Sequence, residues 1–351
     1  MLISNTYLNQ YSKVINVISF KVNKYLFHNQ IIDKAEDRIL PSFYLRFLSD
    51  KSSYYSQINM YKNNKKRVLY EPNLKLKYIQ KYILHIILYR FRPAYKLDKC
   101  VTGFVLKKGI LENAKPHLNR VCIVKMDIKD FFPSITRKMI YNIFRKYNKL
   151  SYEYAYILSH LVTYDDALPQ GAPTSPFLAN ICAKGIDYKI NKLISVINER
   201  QKMNIAYTRY ADDITISFDK KFNYDYIVNV VTQIIFDEGF YPNLQKTNII
   251  KSNHCQMVTG IVVNNSVPTI EKKQREKIKF ILGVWKKYGI EDAIKLWNKH
   301  RFGRVIDITS DDKGIGKFVE VIEGKITYFH MVNEEQNWKL FDTYKLLYDK
   351  L

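Results

Sequence analysis

With 351 residues, 47% of them apolar, the chain is long enough for a sizeable core in two or three linked subdomains and too apolar to stay disordered. Lys and Arg number 56 against 33 Asp and Glu; the net charge of +23 points to a polyanionic partner, nucleic acid first, unless an AT-rich gene has simply inflated Lys, Asn, Ile and Tyr. Cys100, Cys122, Cys182 and Cys255 are too scattered for a paired zinc knuckle or a disulfide framework, and no run reaches the roughly 18 apolar residues of a membrane span.

Reduced, buried thiols in a cytoplasmic protein are therefore expected, and Lys13 with no long apolar run beside it makes residues 1 to 20 a poor signal peptide. Residues 1 to about 60 are polar and aromatic, with mixed helical periodicity and no motif. The run Lys62-Asn63-Asn64-Lys65-Lys66-Arg67 reads as a basic turn before a short strand, Val68-Leu69-Tyr70, closed by Pro72. From Asn73, Ile79, Tyr82, Ile83, Ile86 and Ile87 recur at helical spacing, and Pro93 is expected to end that helix. Val121 to Asp127 reads as a buried strand, followed after Ser134 and Thr136 by a helix with Ile140, Ile143, Phe144 and Tyr147 on one face.

Residues 168 to 174 form a loop with Gly171 and two prolines. Ser175 is the expected N-cap of a long helix, with Pro176 at its first position and Leu178, Ile181, Ile186, Ile190 and Ile194 along it. Tyr207 to Phe218 alternates as a hairpin with its turn near Ala211-Asp212. Ile227, Val230, Val231 and Ile234 mark a helix stopped by Gly239. Val258 to Val263 reads as a strand pair with a turn at Asn264-Asn265, and a Lys-rich helix runs from Pro268 to about Lys287. This order predicts an α+β plan with an antiparallel sheet, not a doubly wound one. The expected division is an N-terminal extension (1–65), a central unit (66–265) and a C-terminal helical unit (266–351).

Asp127 ends a buried strand, and Asp212 and Asp213 lie at a hairpin turn. If strand and hairpin pair, three carboxylates meet at one sheet edge. Hard oxygen donors on rigid strands suit two divalent ions about 4 Å apart, the arrangement of nucleotidyl transfer. An Asp-Asp pair at a turn is by itself more often a solvated turn.

Tyr210-Ala211-Asp212-Asp213 resembles the active-site hairpin of reverse transcriptases. Lys125-Met126-Asp127-Ile128-Lys129-Asp130-Phe131-Phe132-Pro133-Ser134-Ile135 resembles their first catalytic motif, and Gln170-Gly171-Ala172-Pro173-Thr174-Ser175-Pro176 their substrate-binding loop. The resemblance implies a right-hand polymerase fold of fingers, palm with antiparallel sheet, and helical thumb. It implies two Mg²⁺ ions on Asp127, Asp212 and Asp213, with the Ile128 carbonyl in reach; Asp130 stays a surface residue. Phe132 would lie beneath the sugar and exclude a 2′-hydroxyl, unless it packs in the core in place of Phe131. Gln170 and Gly171 would contact the dNTP, though Gly171 also suits a tight turn. Arg67, with Lys65 and Lys66 as rivals, would neutralise the triphosphate. Lys246 would donate a proton to the leaving pyrophosphate, or simply lie at the surface.

Asn113-Ala114-Lys115-Pro116-His117 and Val258-Thr259-Gly260 resemble two signatures of retron reverse transcriptases. That places Asn113, His117, Val258, Thr259 and Gly260 with RNA binding, His117 also having a structural reading. Val321 to Ile326 resembles a thumb helix, and Lys272, Lys273 and Arg275 would grip duplex phosphates unless they are an ordinary solvated face. Retron membership implies a structured non-coding RNA as template and primer, a branched msDNA product, and an effector protein in anti-phage defence. The rivals are a group II intron-like or abortive-infection reverse transcriptase, and a non-catalytic RNA-binding scaffold.

Overall fold

The computed structural model describes residues 11–32, 34, 38–62, 65–90, 95–299, 308–309 and 311–351. The N-terminal region is helical: α1 (Ser12–His28) buries Ile15, Ile18, Val22 and Leu26, and α2 (Pro41–Ser49) buries Tyr44, Phe47 and Leu48. A hairpin follows, β1 (Tyr55–Lys62) with β2 (Lys65–Pro72), in register from Tyr55↔Pro72 to Lys62↔Lys65. β1 thus pairs across residue 65, so the first expected boundary falls inside a hairpin. Asn73 then caps α3 (Leu74–Tyr82) by accepting from the Leu76 amide, and the chain continues as a π-helical turn over Ile83–Leu88. The expected stop at Pro93 lies outside the described residues.

The central sheet is built on β3 (Cys122–Lys129), whose burial on both faces explains its unbroken apolar run. After α4 (Ile110–Ala114) and β3 come α5 (Arg137–Lys146), capped by Thr136, and α6 (Tyr152–Val162), capped by Ser151. The expected long helix is two: α7 (Ser175–Cys182) and α8 (Lys184–Gln201), broken at Ala183. Ser175 is the first residue of α7 and not its cap, because its hydroxyl donates to the Pro169 carbonyl at 2.7 Å and ties the preceding loop instead. The hairpin β4 (Ala206–Tyr210) and β5 (Asp213–Phe218) is where the alternation places it. Then α9 (Tyr224–Asp237) ends before Gly239, φ +81°. Short strands β6 (Tyr241–Pro242) and β7 (Asn248–Lys251) pair with β3 on the side away from β5, giving an antiparallel sheet of order β4-β5-β3-β6 with β7 also on β3.

Beyond the sheet, β8 (Met257–Val258) and β9 (Ile261–Val262) form a tight hairpin whose turn is Thr259-Gly260, φ +46° and +86°, not Asn264-Asn265. Both turn residues adopt the left-handed conformation that two-residue hairpins require. Asn264 is a tether: its side chain accepts from the Gln256 amide and donates to the Ser252 and His254 carbonyls. Among the described residues four helices close the chain: α10 (Lys272–Tyr288), α11 (Ile290–Lys299), α12 (Asp312–Val332) and α13 (Glu334–Tyr348). They hold a second hydrophobic cluster that includes Trp285, Trp297, Phe318 and Phe329 and extends to Val258, Ile261 and, on the central sheet, Ile123 of β3. Among the described residues no helix is long and apolar enough to cross a membrane. Cys100 and Cys122 are buried, but Cys255, expected to be buried too, is exposed.

Candidate active site

β3 and β5 run antiparallel with Asp127 opposite Asp213, and the Ile128 amide donates to the Asp212 carbonyl at 3.0 Å. The catalytic strand and the hairpin turn are therefore joined backbone to backbone. Burial, then the neighbouring Asp213, then Asp127, raise the Asp212 carboxyl above the usual range. This mutual repulsion at one sheet edge is what a bound cation would relieve, and carboxylates are the donors a hard cation takes. The residues present thus fit divalent ions in kind.

The side chains are nonetheless not gathered. Among the described residues, no three His, Cys, Asp or Glu close on a common point. Asp127, 7% exposed, is engaged by its neighbours: Lys246 Nζ donates to its Oδ1 at 2.7 Å and Asn243 Nδ2 to its Oδ2 at 3.2 Å, while the Asn243 amide donates to its carbonyl. Lys246 sits in the turn between β6 and β7, so its ammonium occupies the cationic position beside Asp127.

Around this edge, Phe131 is buried against Phe240 (centroids 5.8 Å apart) and Phe132 is half-buried. Gly171 has φ +117°, and a Cβ there would lie 2.9 Å from the Tyr70 carbonyl oxygen. The Tyr70 amide donates to the Gln170 carbonyl at 2.8 Å, so β2, which carries exposed Arg67, is bound to the Gln170-Gly171 loop. Lys272 and Lys273 are exposed at the start of α10, and Arg275 is half-buried.

Three residues expected at an RNA surface are inside instead. His117 is fully buried, its ring nitrogens 2.7 Å from Ser217 Oγ and 2.8 Å from Thr208 Oγ1, and burial with Arg120 nearby pushes its pKa down to about 3. Asn113 accepts from Thr102 Oγ1 at 2.6 Å and reaches Thr259 Oγ1 at 3.4 Å, and Val258 is wholly buried. Thr259 in turn donates to the Ile110 carbonyl, and Tyr328 of α12 donates to the Gly260 carbonyl. The two signatures therefore meet as a joint between the catalytic hairpin and the C-terminal helices. The short side chains that looked suited to RNA are consumed by internal hydrogen bonds.

Sequence reasoning missed the frame behind the turn. Arg209 (0% exposed) forms a bidentate pair with Asp187 (1%), at 2.8 and 2.6 Å, and donates to Asn180 Oδ1 and to the Ala211 carbonyl. Tyr207 donates to the same carboxylate at 2.6 Å. This holds Ala211 at φ +58°, a conformation unusual for alanine. A signal was present: Asp187 interrupts the apolar face of Ile186, Ile190 and Ile194, where an unpaired charge is untenable.

A two-carboxylate turn on an antiparallel sheet, paired with an aspartate-ended central strand and followed by a helical unit, is the arrangement expected of a polymerase palm. A family model for reverse transcriptase (RNA-dependent DNA polymerase) matches residues 51–284, and the chain belongs to that family. Within it the chain is of the retron type. It is 32% identical to the retron Ec86 reverse transcriptase of Escherichia coli over 215 residues, 61% of this chain and 63% of that enzyme. It is 31% identical to the retron Ec73 reverse transcriptase of the same species over 258 residues, 69% of this chain and 79% of that one. Less than two thirds of the Ec86 enzyme's length is thus spanned. An apo telomerase from Candida tropicalis, truncated from its C-terminal domain, superposes with a TM-score of 0.44 at 14% identity, over 62% of this chain and 55% of that one.

Proposed function

We propose that the protein is an RNA-directed DNA polymerase that copies a structured non-coding RNA into branched msDNA. The observation carrying this reading is the cross-strand pairing of Asp127 with Asp213, with Asp212 in the adjoining turn. Asp127, Asp212 and Asp213, with the Ile128 carbonyl, would hold two Mg²⁺ ions, which supply charge neutralisation at the attacking hydroxyl and at the leaving phosphate. A primer hydroxyl attacks the α-phosphate of a dNTP and pyrophosphate leaves. Lys246, which pairs with Asp127 in the absence of substrate, would donate a proton to that leaving group. Arg67 pairs with the triphosphate, Gln170 and Gly171 seat the nucleotide, and Phe132 faces its sugar.

The fingers and palm comprise residues 66–265 with the β1 strand, and the thumb residues 266–351. The cluster holding α10 to α13 also takes in Ile123, Val258, Ile261 and Val263, so the thumb packs directly on the palm across that boundary. Lys272, Lys273 and Arg275 meet duplex phosphates, while Thr259 and Gly260 keep the thumb joint near the RNA. Retron membership supports an RNA that is both template and primer, an effector protein partner, a cytoplasmic location and a role in phage defence.

The test is synthesis on the cognate RNA with dNTPs and Mg²⁺. Asp212→Asn abolishes DNA product while RNA binding stays close to that of the parent; retained synthesis refutes the carboxylate assignment. Extension of generic primers as readily as the cognate RNA would favour another bacterial reverse transcriptase. No product on any template would favour a binding scaffold.

A further inference from the structure

The turn over residues 102–105, outside every motif above, combines glycine and a bulky residue in an unexpected order. The left-handed residue is Phe104, φ +58°, not its glycine neighbour. Gly103 is needed for another reason: a Cβ there would lie 2.6 Å from the Ala211 amide nitrogen and 3.0 Å from the Tyr210 carbonyl carbon. Close approach to the catalytic turn thus takes the glycine, and the strained conformation falls on a bulky aromatic, where it is an outlier. The surroundings over-determine it. Asn180 Nδ2 donates to the Gly103 carbonyl at 2.8 Å, the Thr102 amide donates to the Arg209 carbonyl, and Thr102 Oγ1 donates to Asn113. Strain retained this way marks functional positions.

The outcome of that strain is the placement of a ring. Phe104, 46% exposed, lies edge-on to Phe132 with centroids 6.3 Å apart and 6.2 Å from the ring of Tyr210. Phe132 is supported from the core by Phe131 at 5.6 Å, and Phe104 supports it from the solvent side. We propose that Phe104 is a specificity-determining residue for the sugar of the incoming nucleotide: it holds the Phe132 ring where a 2′-hydroxyl would collide with it. Without Phe104 that ring is free to turn toward solvent and admit a ribonucleotide. Phe104 is a positioning residue, and the inference rests on Phe132 being the sugar-facing ring.

The experiment compares kcat/KM for dNTP and rNTP on the cognate RNA in the full-length protein carrying Phe104→Ala, Phe104→Gly, Phe104→Tyr or Phe132→Ala. Phe104→Ala and Phe104→Gly lower the preference for dNTP about three- to tenfold, the factor one aromatic edge contact is worth. The change comes from faster rNTP use. Phe104→Tyr keeps the preference. Phe104→Gly relieves the backbone, so its melting temperature stays at or above that of the parent, which separates selection from folding. If Phe132→Ala shifts sugar selection and neither Phe104→Ala nor Phe104→Gly does, the inference is overturned. If Phe132→Ala leaves sugar selection unchanged, the sugar-facing role of Phe132 itself fails.

Discussion

Arg209 and Asp187 show how much a single pair decides here. Both are out of contact with water, so removing one partner strands a charge in the core. Arg209→Met should cost about 3–5 kcal/mol in urea unfolding. Adding Asp187→Leu should restore part of that stability, because an apolar replacement removes the stranded carboxylate but leaves the buried Tyr207 hydroxyl without its acceptor. DNA synthesis should remain impaired in the double variant, since the bond from Arg209 to the Ala211 carbonyl is still missing. Full recovery of both would mean that the pair serves packing alone. His117 has a different signature. Its unfolded value is 6.5 and burial lowers the folded value to about 3, so between these the unfolded chain binds a proton that the fold refuses. The contribution is intact above pH 6.5 and is lost as pH falls toward 3, at about 1.4 kcal/mol per unit. His160, lowered to about 2 by burial, Lys51 and Arg137, acts with the same sign. Replacing His117 by Gln should make the fall in urea midpoint between pH 7 and 4.5 shallower; an unchanged slope would show that its imidazole is not shielded.

Elements meet here through backbone contacts that leave no space for side chains. The loop at Gly103 touches the Ala211 amide, and the Gly171 loop touches β2 at Tyr70. Gly103→Ala should push the loop away from the catalytic turn, because backbone atoms cannot give way as a flexible side chain would. A displacement near 1 Å at a reacting centre costs about 100-fold in rate. Primer extension should therefore fall by that order while RNA affinity holds; a parent-like rate would show that the turn tolerates the shift. These contacts account for what the chain order conveyed and what it did not. The strands β3, β4 and β5, the middle of β2 and the helices that follow Asn73 and Thr136 were legible, since periodicity is local, whereas residues 65 to 67, expected in a basic turn, are the start of β2. The break at Ala183 and the turn at Thr259-Gly260 were not, because tertiary partners chose between local options that the sequence left nearly equal.

For the molecule as a whole, the core of the C-terminal helices reaches the sheet through Ala114, Ile123 of β3, Val258 and Ile261, and hydrogen bonds among Asn113, Thr259, Gly260 and Tyr328 lie at the same joint. A net charge of +23 over this two-part body should make binding of the cognate RNA steeply salt-dependent. If six or more phosphates are neutralised, affinity falls about 10³-fold or more between about 50 and 200 mM salt. A flat response in a filter-binding titration would show that the charge does not serve the RNA.

The family of this protein could be read along the chain, because an Asp-Asp turn, a glycine loop and alternating strands are written in short stretches whose residue types have few other uses together. Asp127, Asp212 and Asp213 stand out as the proposed metal ligands for that reason. Their pairing across β3 and β5, the hold of Lys246 on Asp127, the burial of His117 and the placement of Phe104 were decided by tertiary structure alone. Each depends on which distant segment supplies a hydrogen-bond partner or excludes water, and a one-dimensional pattern carries no record of that distance.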